Sequence, residues 1–268
     1  MIKQVTTSYV DVPGFGHKMF VWEYLQIKYS DTHQVVLSDQ SYYENEFVHF
    51  PNTTFEHNPK IRAIKEPWDC IFNTISMPLH RPIKSLQFDK DLTNLVKTKC
   101  MDMTGIHIRR GDLINDGSKK YKEWLESDND NWKYAYLDDE YYIKICDRIV
   151  ERNPKEIFYL STDATLDEVK FFTDRYDVVM SDNLLLHKKD RPKWGFDEIR
   201  NNPKAILPRT PNIDIHDITD LLALSYSKKF IASNSMWSEF ATIYGKVPTI
   251  YPPNCFNYAP REGLYYVR

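Results

Sequence analysis

From residue 104 onward the chain alternates short apolar runs with helical patterns, and this alternation limits its fold more than any other feature. The runs at 104–109, 157–161, 177–180, 229–233 and 247–251 are rich in β-branched or aromatic residues and have the length of strands. Between them, 137–152 places Tyr142, Ile145 and Ile149 on one helical face. The stretch 165–174 follows a Ser/Thr/Asp start and carries Asp167 and Glu168 in its first turn. Helices at 217–227 and 235–245 complete the series, the second stopping at Gly245 with Pro248 just beyond. Such alternation predicts an α/β chain built on a parallel, doubly wound sheet.

The first hundred residues are less regular. A strand at 4–8, a glycine turn at Gly14 and Gly16, a helix over 17–29 and a strand at 34–37 are expected, with Met19, Trp22 and Gln26 on neighbouring helical turns. Residues 41–82 read as irregular, aromatic and proline-punctuated, and 183–212, with four prolines, as a long surface loop. A domain boundary is expected within 89–103. It divides the chain into an N-terminal domain of 1–98 and a C-terminal domain of 99–268, whose last residues pack back on the first.

Charge and cysteine content exclude several classes. With 35 basic and 38 acidic residues the net charge is −3, which lacks the footprint of a nucleic-acid-binding protein. No apolar run approaches the roughly 20 residues of a membrane span, and residues 1–14 lack a secretory apolar core. A cytoplasmic protein without an integral membrane segment is therefore expected. Cys70, Cys100, Cys146 and Cys255 form no C-x-x-C pair, which argues against zinc or redox chemistry and for reduced thiols. Asn52-Thr53-Thr54 matches a glycosylation sequon, which has meaning only in the secretory pathway. At 268 residues the chain can bury a core without disulfides or metals.

The sharpest local signal is Gly105-Ile106-His107-Ile108-Arg109-Arg110-Gly111-Asp112. Strand alternation puts His107 and Arg109 on one face and Ile106, Ile108 and Arg110 on the other. In open parallel sheets ligands bind beyond the carboxyl ends of the strands. A guanidinium delivered there grips phosphate oxygens with paired hydrogen bonds. Asp112 would orient one arginine by an ion pair. Read blandly, the same residues are a solvated charge cluster at a strand end, and Arg110-Gly111-Asp112 also spells an adhesion tripeptide.

A second signal runs from Asp220-Leu221-Leu222-Ala223-Leu224-Ser225 to Ile231-Ala232-Ser233-Asn234-Ser235. A strand-to-helix junction with small polar residues offers free N–H groups and hydroxyls to a phosphate. A nearby carboxylate can accept from the N1–H and N2–H₂ of guanine. Ordinary capping by Ser233, Asn234 and Ser235 explains the junction equally well. Pro13-Gly14-Phe15-Gly16-His17-Lys18-Met19-Phe20 and Ser161-Thr162-Asp163 are weaker; the first is compatible with a plain tight turn, and Asp163 is a candidate cap for the helix near Thr165.

In this order and spacing the segments resemble the fucosyltransferases that share an H-x-R-R-G-D motif, the bacterial-type α1,2-fucosyltransferases above all. The family's G-G-L-G-N-Q-M-F element is similar to residues 13–20, keeping Gly14, Gly16, Met19 and Phe20; H-I-R-R-G-D is matched in full by residues 107–112. Paired tyrosines followed by a strand ending S-D-D are similar to Tyr141-Tyr142 and Ser161-Thr162-Asp163. D-x-x-L-M-S and I-I-A-N-S-S resemble 220–225 and 231–235. Departures are Pro13, His17-Lys18, Thr162 and Met236, which bear on acceptor choice more than on nucleotide choice.

The resemblance implies a GT-B-like architecture, two Rossmann-like domains facing across a cleft. It implies inverting, metal-independent transfer of L-fucose from GDP-β-L-fucose to a glycan hydroxyl, with α1,2 linkage and no cofactor beyond the donor. His107, Arg109, Arg110, Asp112, Asn234, Ser235, Gly14 and Gly16 would bind the donor, Arg109 on its β-phosphate, while Asp220 would read guanine. Arg109 would act in catalysis, with Asp116 or His17 deprotonating the acceptor. α1,6-type and protein-O-fucosyltransferases share the arginine motif. A non-catalytic nucleotide- or glycan-binding module and a transferase for another GDP-sugar are the alternatives. A phosphate-handling hydrolase lacks its own signatures, G-x-x-x-x-G-K-[ST] and G-x-S-x-G.

Overall fold

A computed structural model describes residues 4–7, 19, 22, 23, 25, 26, 28, 29, 31–38, 47–56, 64–66, 86–110, 137–186, 214–252 and 265–266. The first part contributes β1 (Gln4–Thr7), β2 (Gln34–Ser38), β3 (Val48–His49), β4 (Thr53–Glu56), β5 (Ile64–Glu66) and β6 (Gln87–Phe88). Strands β4, β2, β1 and β5 lie side by side in that order, every pair parallel, while β3 and β6 form a small antiparallel pair. Met19, Trp22, Glu23, Leu25, Gln26, Lys28 and Tyr29 are helical, as the spacing predicts. Trp22 is fully buried against Phe50, and its indole N–H donates to Thr53 Oγ1 at 2.7 Å, tying this helical segment to β4.

The second part runs α1 (Lys90–Cys100), β7 (Thr104–Ile108), α2 (Asp139–Arg152), β8 (Ile157–Thr162), α3 (Lys170–Thr173), β9 (Asp177–Val179), α4 (Ser181–Leu185), α5 (Ile215–Tyr226), β10 (Lys229–Ile231), α6 (Met236–Gly245), β11 (Thr249–Tyr251) and β12 (Tyr265–Tyr266). Its six strands are all parallel, in the order β12-β11-β10-β7-β8-β9. The chain winds outward from β7 through β8 to β9, then returns to place β10 on the other side of β7. That reversal is a topological switch point, the place where open α/β sheets hold ligands. The fold is thus α/β with one parallel sheet in each half.

Helices on both faces explain why every residue of β7 is buried, with no polar alternation. On one face Tyr159 and Phe230 pack with Val96, Leu221, Leu224 and Phe240, in a core that continues to Val5, Trp22 and Leu37 of the first half. On the other, Ile106, Ile108 and Leu160 meet Tyr142, Ile145, Ile149 and Phe172. The stripe expected on 137–152 is the buried face of α2. Each fully buried aliphatic or aromatic side chain contributes about 1.5–3 kcal/mol. Side-chain caps close α1 (Asp89 to the Leu92 N–H), α5 (Asp214 and Asp217 reciprocally) and α6 (Ser235 to the Ser238 N–H). Each is worth about 1 kcal/mol.

Four expectations change. Residues 41–82 are not wholly irregular: β4 and β5 complete the first sheet, and both are too short for a periodic signal. The helix at 165–174 shrinks to α3, preceded by a turn in which Thr165 and Glu168 bond reciprocally. Gly245 is not the left-handed stop of α6; that conformation falls on Lys246, at φ 52°. Gly245 is needed for closeness instead, since a Cβ there would lie 1.9 Å from the Ser225 carbonyl oxygen. Finally, α1 runs through the expected boundary and packs on α5 in the shared core. Of 183–212, residues 183–185 are helical in α4 and 187–212 lie outside the described residues. No helix among the described residues is long and apolar enough to cross a membrane.

Candidate functional site

The switch point lies between β7 and β10, and the segments beyond both strands carry the polar residues singled out in the sequence. His107 stands on the face covered by α5 and α6, one residue from the end of β7, and is 6% exposed. Its Nδ1 is 2.8 Å from Ser233 Oγ, 2.8 Å from Ser238 Oγ and 3.2 Å from Ser235 Oγ. Among the described residues every hydrogen bond of the ring falls on Nδ1. The hydroxyls are themselves fixed, Ser238 Oγ accepting from the Ser233 N–H and Ser235 Oγ from the Ser238 N–H. Burial, and then the charge of Arg109, push the imidazole down to about 3, so it is neutral near pH 7. A neutral ring held through Nδ1 presents Nε2 as its remaining donor or acceptor.

Arg109 follows the end of β7 and is half-buried, its positive charge close enough to act on His107. Strand alternation predicts one face for both, and the structure brings His107 onto Ser235 at the N-terminus of α6. That ten-residue helix directs the positive end of its dipole to the same end of the sheet. Asn234, buried beside them, completes the junction.

Arg110 does not join this group. It is 1% exposed and turned to the opposite face, as its place in the strand period requires. Its Nη2 donates to Asp139 Oδ1 at 2.6 Å and its Nη1 to the Leu137 carbonyl at 2.9 Å, while the guanidinium lies over the Tyr142 and Phe171 rings. Among the described residues the carboxylate pairing with this arginine is Asp139, at the start of α2. Asp112, Asp116, Gly14, Gly16 and His17 lie outside the described residues.

Asp220 sits within α5 rather than at its end, 5% exposed, and accepts a 2.7 Å hydrogen bond from the Tyr159 hydroxyl. Tyr159 pairs in register with Gly105, two residues before His107, so its Cα lies about 6–7 Å below the histidine level. Burial, followed by the Asp220 carboxylate, drives the Tyr159 phenol well above its ordinary value, so it stays protonated and donating. Cys100 and Cys146 are buried free thiols, and burial raises both, Cys100 to about 12, so neither is a nucleophile here. Among the described residues no group of three or more His, Cys, Asp or Glu could hold a metal ion.

Sequence reasoning did not single out Ser238 or Asp139, and it named Thr162 and Asp163 only within a weak strand-end signal. Ser238 was within reach, because an N-cap at Ser235 brings residue 238 one turn on, beside it. The others depend on which strands become neighbours.

No family model and no curated protein matches the chain. Among solved structures it is similar to fucosyltransferase NodZ from Bradyrhizobium, at 12% identity and a TM-score of 0.44, over 92% of this chain and 94% of that one. It is similar as well to NodZ α-1,6-fucosyltransferase co-crystallised with GDP, at 11% identity and a TM-score of 0.46, over 92% and 93%. With POFUT1 in complex with GDP-fucose the identity is 10% and the TM-score 0.38, over 85% of this chain but only 58% of that one. The chain therefore spans little more than half of the POFUT1 structure. At such similarities, what the site can do is read from its own residues.

Proposed function

We propose that this protein is a GDP-fucose-dependent fucosyltransferase, moving L-fucose from GDP-β-L-fucose to a glycan hydroxyl with inversion and without a metal ion. The observation that carries the reading is the convergence of His107, Arg109 and the N-terminus of α6 at the switch point of a parallel sheet. One cation, a neutral imidazole and a helix N-terminus together suit a diphosphate.

The chemistry follows from charge. As the bond between the sugar C1 and the β-phosphate oxygen breaks, negative charge accumulates on the departing GDP. Arg109 on the β-phosphate, with Nε2–H of His107 and the positive end of the α6 dipole beside Asn234 and Ser235, stabilises that charge more in the transition state than in the ground state. In this reading the Ser238 hydroxyl donates to Nδ1, so that His107 holds its proton on Nε2 and contributes a directed hydrogen bond rather than a charge. The sugar passes through an oxocarbenium-like state, so the acceptor hydroxyl attacks from the opposite face and loses its proton late, to Asp116 or His17 in this reading. Gly14 and Gly16 let the N-terminal loop approach the donor, and Asp112 supports the phosphate end.

Metal-free thermal-shift measurements with GDP, UDP, CDP and ADP test the donor site. A ligand at 100 times its Kd adds about 2.7 kcal/mol of stability, a shift easily seen. GDP alone is expected to shift the transition, and a response to UDP or ADP instead would overturn the guanine assignment. GDP binding without acceptor-dependent GDP release would mean a binding module rather than an enzyme. Linkage analysis of the product decides between the proposed α1,2 bond and an α1,6 or protein-O-linked one. For Asp220→Asn, the remaining Oδ1 still accepts from Tyr159, so stability should change by under about 1 kcal/mol. Preference for GDP over ADP should fall; unchanged discrimination would leave Asp220 a purely structural partner of Tyr159.

A further inference from the structure

The β7–β8 ladder ends in register at Ile108 and Thr162, one residue short of Arg109. Two side chains from the end of β8 continue it. Thr162 Oγ1 donates to the Ile108 carbonyl at 2.6 Å and accepts from the Ala164 N–H at 3.1 Å. Asp163 Oδ1 accepts the Arg110 N–H at 2.6 Å. The carbonyl of Arg109 itself receives Nη1 of Arg110 at 3.2 Å, and that guanidinium is anchored on Leu137 and Asp139. Both peptide groups that flank the Arg109 Cα are therefore held, the first by Thr162, the second by Asp163 on its N–H and Arg110 on its C=O.

We propose that Thr162 and Asp163 are positioning residues for Arg109, extending the sheet by two side-chain hydrogen bonds so that the arginine leaves it in one direction. The proposal rests on reading Arg109 as the donor-phosphate ligand. A strand end followed by a glycine frays unless its peptides are satisfied. A guanidinium on a fraying backbone samples many positions, and misplacement by about 1 Å can cost on the order of a hundredfold in rate. Asp163 acts here through acceptor geometry on a backbone amide, which is a different task from charge pairing or proton abstraction. Asparagine can do the first and neither of the others.

The test compares Asp163→Asn with Asp163→Ala, and Thr162→Ser with Thr162→Val, in two measurements: hydrogen exchange of the Arg110 amide in the free protein, and GDP affinity by calorimetry. Asp163→Ala and Thr162→Val should speed exchange and weaken GDP binding, each by about tenfold, while Asp163→Asn and Thr162→Ser stay within about threefold of wild type. Placed in an Arg109→Ala background, Asp163→Ala should change GDP affinity by less than about twofold, because a residue acting through Arg109 has nothing left to position. Equal losses for Asp163→Asn and Asp163→Ala, or an undiminished loss without Arg109, would overturn the proposal. If Asp163→Ala does not fold, the threonine pair decides by the same criteria. An unprotected Arg110 amide in the wild type would overturn the clamp on its own. A protected amide in a protein that binds no GDP would overturn the donor-site reading and leave the clamp standing.

Discussion

The two ends of the six-stranded sheet spend their polar groups differently. Where β7, β8 and β10 begin, Glu156 is buried and accepts from Thr104 Oγ1 at 2.5 Å, Lys228 Nζ at 2.7 Å and Asn153 Nδ2 at 2.8 Å. Burial alone would raise its carboxyl, but the hydrogen bonds from Lys228, Thr104 and Asn153 outweigh it and hold the group below its usual range. Anion and cation answer each other within the chain. At the opposite end, beyond β7 and β10, the carboxylate of Asp163 is engaged with a backbone amide, and the imidazole of His107 is kept neutral by burial and by the charge of Arg109. The lower end is built for cohesion. With Arg110 paired to Asp139 on the other face, the upper end arranges donors and Arg109 around a helix N-terminus, which is the composition an anion requires.

The contrast breaks most severely at the lower end with Gly245→Ala. Its Cβ would meet Ser225 backbone atoms at 1.9, 2.5 and 2.7 Å, none of which can rotate aside. A loss of about 3 kcal/mol or more in urea unfolding is expected. Stability within about 1 kcal/mol of wild type would mean that α5 and α6 do not approach as described. At the upper end Arg109→Ala should lower transfer by about a hundredfold, roughly 2.7 kcal/mol of barrier, with an unchanged melting temperature. Turnover within about tenfold of wild type would remove it from the chemistry.

Glu156→Gln is expected to cost about 2 kcal/mol, because Lys228 loses its buried counter-charge, while GDP affinity stays the same. A change in affinity would show that the two ends communicate. Taken one pH unit at a time, the smallest effect is a pH dependence. His107 has a folded-state value near 3 against an ordinary 6.5, so below pH 6.5 the unfolded chain binds the proton that the folded one refuses. Its contribution is whole above pH 6.5 and is lost as pH falls towards 3, at about 1.4 kcal/mol per pH unit. His107→Gln should flatten this acid limb in urea titrations at pH 4 to 7, and an unaltered slope would place the titration elsewhere.

Much of the second half was legible because strand and helix periods are local properties. Tyr142, Ile145 and Ile149 are buried on α2, and Ser235 caps α6, where spacing and residue type put them. The opposite faces of Arg109 and Arg110 follow from the period of two alone. The shorter strands were hidden: Thr53–Glu56 and Ile64–Glu66 owe their structure to neighbours far away in the chain.

By itself, then, the order of residues determined the alternation of elements, the opposed directions of the two arginines and the presence of hydroxyls after β10. Only the tertiary structure decided that β10 returns beside β7, which brings Ser233, Ser235 and Ser238 onto His107 from 126 to 131 positions away. It also decided that Asp163 serves the Arg110 amide instead of capping the helix near Thr165, and that Asp220 meets Tyr159 inside the core. Hydrogen bonds of this kind depend on which strands become neighbours, and strand order is settled by the burial of whole faces rather than by any short stretch of sequence.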